Sequence, residues 1–69
     1  MTTFGERLRE LRKKHNVKQK HLAEYIGVSE RALRWYESGN REPTIAQLIQ
    51  LADYFDVTLD YLVGRTDNH

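Results

Sequence analysis

Gln19-Lys20-His21-Leu22-Ala23-Glu24-Tyr25-Ile26-Gly27-Val28-Ser29-Glu30-Arg31-Ala32-Leu33-Arg34-Trp35-Tyr36-Glu37-Ser38-Gly39 is the stretch that decides the fold. Leu22, Ala23 and Ile26 fall three and four apart, which is one face of a helix. Gly27 can adopt the left-handed conformation that ends such a helix. Ser29 can then cap a second helix by accepting a bond from an early backbone N–H. Val28 and Leu33 stand at the staple positions on either side of that cap. Ala32, Leu33 and Tyr36 are expected to point inward, which leaves Glu30, Arg31, Arg34 and Trp35 on the outer face. A short helix held from behind, with a polar face free, is the arrangement expected of an element that enters a DNA major groove.

The rest of the chain has room for one small core. At 69 residues it buries only about 60% of its unfolded surface, so packing has to be tight. The absence of cysteine removes disulfides and thiolate zinc sites. No run approaches the roughly 18 apolar residues of a membrane span. The N-terminus lacks a signal peptide's apolar core. A cytoplasmic protein is expected. Net charge is +1, but its distribution is uneven. Residues 1–41 hold ten Lys/Arg against five Asp/Glu, whereas residues 42–69 hold Arg65 against Glu42, Asp53, Asp56, Asp60 and Asp67. A basic front and an acidic back would orient the domain on a polyanion; two solvated charged faces are the alternative.

Upstream, Thr3 and Glu6 form a capping box for a first helix. Phe4, Leu8 and Leu11 are its buried stripe, and Arg7, Arg9, Arg12, Lys13 and Lys14 lie around it. The helix should end near His15-Asn16. The second helix, Gln19 to Ile26, has Lys18 at its cap position, a side chain with no acceptor. The third runs from Glu30 to about Glu37 and stops at Ser38-Gly39. A turn-rich loop through Pro43 follows. Thr44 and Gln47 box the start of a fourth helix, with Ile45, Leu48, Ala52 and Phe55 inward, Ile49 and Leu51 widening the stripe, and Asp56 at its end. Thr58 caps a short fifth helix that Gly64 ends. Residues 1–64 are read as one all-α domain, and residues 65–69 as a polar, frayed tail.

These residues resemble the Cro/CI-type, or Xre-type, helix-turn-helix transcriptional regulators. The resemblance covers nearly the whole chain: FGERLRELR from Phe4, Q..LAEYIGVS from Gln19, YESGNREPT from Tyr36 and LADYFDVTLDYLVG from Leu51. It implies a compact five-helix, lambda-repressor-like globule whose third helix lies in the major groove. It implies homodimers on near-palindromic double-stranded operators, with no cofactor. By the same resemblance, Gln19 contacts phosphate, Glu30, Arg31, Arg34 and Trp35 read bases, and Asn40 and Arg41 grip the backbone. Arg12 and Glu37 match an ion pair joining the first helix to the end of the third. Lys18, Asn16, Asp56 and Trp35 depart from residues common in the family at those places.

The chemistry leaves alternatives at single positions. Lys18 and Lys20 can add phosphate contacts or simply solubilise. Arg31 can bond guanine in bidentate fashion or hold a phosphate. Glu30 can accept from cytosine N4 or favour the positive helix start. Arg34 can reach a base or a phosphate. Trp35 can touch a thymine methyl, lie along the sugar-phosphate wall, or pack. His15, His21 and His69 make no ligand set, so no metal is expected, and no nucleophile or phosphate-loop motif points to an enzyme. Leu59, Tyr61, Leu62 and Val63 crowd the short fifth helix and are expected, with the end of the fourth helix, to form the dimer contact; ordinary core plus scattered exposed apolar groups is the alternative. The expected function is a sequence-specific repressor, either a short Cro-like regulator or the N-terminal piece of a longer one. An antitoxin-like module with a protein partner, or a nonspecific nucleic-acid binder, are the rivals.

Overall fold

The computed structural model describes residues 2–68. Met1 and His69, the outermost residues of the expected domain and tail, lie outside the described residues. The described residues form five helices and no strand: α1 (Phe4–Lys14), α2 (Gln19–Ile26), α3 (Glu30–Ser38), α4 (Ile45–Phe55) and α5 (Leu59–Leu62). Helix starts follow local side-chain chemistry. Thr3 Oγ1 accepts from the Glu6 N–H at 3.2 Å, and Glu6 Oε1 accepts from the Thr3 N–H at 3.0 Å. That backbone bond, helped by the Thr2 and Thr3 hydroxyls, holds the Glu6 carboxyl below its ordinary pKa. Thr44 and Gln47 repeat the box at α4, while Ser29 and Thr58 cap α3 and α5. Lys18 makes no side-chain cap bond at α2.

Helix ends follow backbone freedom. Gly27 and Gly39 take left-handed φ of 77° and 85°. Asn16 and Asp56 do the same work at 56° and 55° without being glycine, because a short polar side chain tolerates that region.

Each helix sends one leucine fully into the centre: Leu8, Leu22, Leu33, Leu51 and Leu62 are all 0% exposed. Burying such a side chain is worth about 1.5–3 kcal/mol, so the five together seat every helix on one core. Ala23, Ile26, Ala32, Tyr36, Ala52 and Phe55 fill the space between them. Tyr25 of α2 and Tyr54 of α4 meet at 4.8 Å between ring centroids.

Four expectations are corrected. Arg7 is buried, not peripheral: its guanidinium lies 3.8 Å from the Tyr61 ring and its Nη2 donates to Asp67 Oδ1 at 2.6 Å. Burial opposes the Arg7 charge, but hydrogen bonds to Asp67 and Tyr61 outweigh it and push the pKa up. For the same reason the segment after Gly64 is fastened rather than frayed, because Arg7 also bonds the Thr66 carbonyl and the Asp60 carbonyl accepts from Arg65 and Thr66. Ile45 and Ile49 lie outside the core at 75% and 46% exposure, since they share a stripe of α4 turned away from the one that buries Leu51, Ala52 and Phe55. Tyr61 and Leu62 are core residues, so their side chains offer no surface to a second copy; Leu59 and Val63 stay exposed.

Candidate nucleic-acid interface

The turn Gly27-Val28-Ser29 sets α3 against α2. Gly27 reverses the chain, half-buried Val28 packs on the core, and Ser29 Oγ accepts from the Ala32 N–H at 3.0 Å. Ala32, Leu33 and Tyr36 then face inward. Their burial fixes the rotation of α3, and with it the outer face. Glu30, Arg31 and Arg34 are exposed on that face and Trp35 is half-buried at its edge. Glu30 and Arg34 pair one turn apart at 3.8 Å, an exposed contact of little energetic weight.

Behind α3, one carboxylate ties three helices together. Glu37 takes Arg12 Nε at 2.6 Å and Arg12 Nη2 at 3.2 Å, and it accepts from Gln19 Nε2 at 3.0 Å. Arg12 Nη1 also donates to the Val17 carbonyl at 3.1 Å. Arg12 and Glu37 side chains are only 13% and 6% exposed, so the pair is shielded from solvent. Gln19 thereby starts α2 with its amide oriented, beside first-turn N–H groups that no side chain caps.

The residues cluster into a rim and a face. Arg9, Arg12, Gln19, Arg34, Glu37 and Ser38 line one open cleft between α1, the start of α2 and α3. Arg9 is a member that the sequence reading did not single out; its place in the basic run of the first helix was the available signal. Lys18 and Lys20 flank Gln19 and are exposed. Asn40 and Arg41 follow the αL turn at Gly39. Asn40 Nδ2 donates to Ser38 Oγ at 3.1 Å, and the Arg41 guanidinium lies 4.5 Å from the Trp35 ring centroid. Arg31 approaches the same ring at 5.8 Å. His15 packs on Phe55 at 5.3 Å. Among the described residues no three His, Cys, Asp or Glu side chains are grouped to hold a metal ion, and no helix is long and apolar enough to cross a membrane.

The sequence profile of the helix-turn-helix family matches residues 8–62, from the middle of α1 to the end of α5. The chain belongs to the helix-turn-helix family. It is 45% identical over 60 residues to the HTH-type transcriptional regulator AnsR of Bacillus subtilis, covering 87% of this chain and 52% of AnsR. A transcriptional regulator from Listeria innocua superposes with a TM-score of 0.89 at 39% identity, over 97% of this chain and 63% of that one. The P22 c2 repressor, solved with a synthetic operator, superposes with a TM-score of 0.86 at 32% identity, over 96% of this chain and all of that one. These relatives are transcriptional regulators, one of them a repressor solved on a synthetic operator. The chain spans 52–58% of the length of the first curated relatives it matches.

Proposed function

We propose that this chain is the sequence-reading module of a cytoplasmic transcriptional regulator, most simply a repressor, that occupies a near-palindromic operator in double-stranded DNA as a homodimer. One observation carries the reading. The outer face of α3 stands clear of the core between two sets of cationic and amide side chains, with its rotation fixed from behind by Leu33 and Tyr36. In this reading Glu30, Arg31, Arg34 and Trp35 address base edges. Lys18, Gln19, Lys20, Asn40 and Arg41 hold phosphates, and Arg9 joins them from α1. The free N–H groups of α2 favour a phosphate beside Gln19. The unit runs through Gly64, with the segment beyond it clasped to Arg7. No cofactor is required, because occupancy of the site is the output.

The dimensions support the dimer part of this reading. The molecule measures 29 × 22 × 21 Å, whereas half-sites one helical turn apart need readers about 34 Å apart. One copy therefore serves one half-site. Ile45, Ile49, Leu59 and Val63 are exposed apolar side chains on α4 and around α5 that a second copy could cover.

In-vitro selection of bound duplexes followed by gel shifts tests the reading. Arg31→Ala should lower discrimination at one base pair, by about 1–3 kcal/mol if its contact is bidentate to guanine. Gln19→Ala should weaken all duplexes alike with little change in salt dependence, because its amide is neutral and releases no counterion. Loss of sequence preference in the unaltered chain, or identical behaviour of the two variants, would reject the division of roles.

A further inference from the structure

Trp35 is joined to the loop that follows its own helix in two independent ways. Its backbone carbonyl accepts from the Gly39 and Asn40 N–H groups, from Arg41 N–H at 3.4 Å, and from the Ser38 hydroxyl at 3.2 Å. Its indole ring meanwhile holds the Arg41 guanidinium at 4.5 Å and that of Arg31 at 5.8 Å, both within the range of cation–π attraction. Arg31 belongs to the outer face of α3 and Arg41 to the loop. Both are exposed, and an exposed arginine otherwise samples many rotamers and loses that entropy on ordering. One half-buried ring thus gathers two long cations that arise from different elements.

We propose that Trp35 is a positioning residue: it presets Arg31 and Arg41 as a two-point grip on double-stranded DNA before the duplex arrives. The inference rests on the DNA-reading role proposed above and adds a division of labour within it. Arg31 and Arg41 make the contacts; the indole reduces the ordering that binding requires of them. A Trp35 that instead read a thymine methyl itself would act independently of Arg41, and its loss would be felt at one base pair only.

Two measurements test this. In the free protein, NMR should find the Arg41 Nε–H proton shifted by the indole ring current. The shift should vanish in Trp35→Leu and persist in Trp35→Phe at reduced size. On a selected duplex, fluorescence anisotropy should give losses of about three- to tenfold for Trp35→Ala and for Arg41→Ala. The Trp35→Ala/Arg41→Ala double variant should lose less than the product of the two single losses, because the Arg41 share is common to both and only the Arg31 share is added, and Trp35→Phe should recover part of the affinity. The loss from Trp35→Ala should persist on duplexes changed at any one base pair, shrinking only at the pair that Arg31 reads and keeping there the share carried by Arg41. Losses that multiply in the double variant, a loss confined to one base pair, or an unshifted Arg41 resonance would overturn the positioning role while leaving DNA reading intact. An unaltered chain that selects no duplex would overturn both, and urea midpoints of each variant separate binding losses from unfolding.

Discussion

Gln19 donates its amide to the same Glu37 carboxylate that Arg12 grips with two nitrogens. The first residue of α2 and the last turn of α3 are thus held through one buried anion. The expected phosphate-contacting side chain and the reading helix therefore keep a fixed relation to each other.

That relation predicts an unequal response to truncation. Glu37→Ala leaves the Arg12 charge buried and unpaired, at a cost of about 3–5 kcal/mol. A domain this size has only about 5–15 kcal/mol in all, so most of its margin would go. Gln19→Ala removes one hydrogen bond to a charged group, about 1.5–3 kcal/mol at most. Replacing both partners, Arg12→Met with Glu37→Leu, should recover stability because no charge is stranded. Urea denaturation of the four proteins checks the order; a Glu37→Ala midpoint no lower than that of Gln19→Ala would contradict it.

Gly5 predicts a sign reversal. It lies in the first turn of α1, where alanine is intrinsically better by about 1 kcal/mol. A Cβ there would run into the Glu37 carbonyl oxygen and lie 2.8 Å from that of Tyr36. Both acceptors belong to the last turn of α3, so α1 and α3 would have to separate. Gly5→Ala should destabilise by about 1–3 kcal/mol, the usual cost of overpacking, and lower Tm by roughly 4–8 °C per kcal/mol. Calorimetry reads the result, and a raised Tm would mean that the two helices can part freely.

The helices were legible because independent local signals agreed: Thr3 with Glu6, Thr44 with Gln47, Gly27 before Ser29. The buried Arg7 was not, since periodicity treats an arginine as surface and its partner Asp67 lies 60 residues away in a stretch with no period. Ile45 and Ile49 fit an apolar stripe, but where that stripe is wide, spacing cannot tell which edge of it the core covers. Tyr61 and Leu62 sit in a four-residue helix, too short for pattern to say which side turns inward. At the site, the outer face of α3 followed from Leu33 and Tyr36. The Arg12–Glu37 pair rested on resemblance alone. The Trp35–Arg41 contact depends on the path of the chain after Gly39, which no spacing rule encodes.

The Arg7 clasp predicts that the segment beyond Gly64 contributes to stability. Asp67→Asn keeps the shape but removes the anion facing a buried guanidinium. The Asp67 carboxylate is largely exposed, so water replaces part of what is lost. The expected cost is about 1–3 kcal/mol. Arg7→Met should be better tolerated than Asp67→Asn, because it removes the charge that needs a partner. Urea midpoints of the two variants decide this; equal stability of Asp67→Asn and the unaltered chain would show that the clasp holds no weight.

If the proposed dimer forms, substitution of Ile45 should separate pairing from folding. At 75% exposure it adds little to the core, so Ile45→Asp should change the stability of a single copy by no more than about 0.5 kcal/mol. A carboxylate at Ile45, which lines one cleft with Val63, would meet its own counterpart across the proposed twofold contact. That contact would then bring together two like charges and desolvate both. Titration of a palindromic duplex should therefore lose its steepness while affinity for an isolated half-site is retained. Sedimentation of the two protein–DNA complexes would count the copies bound. Unchanged cooperativity in Ile45→Asp would move the dimer contact to another face.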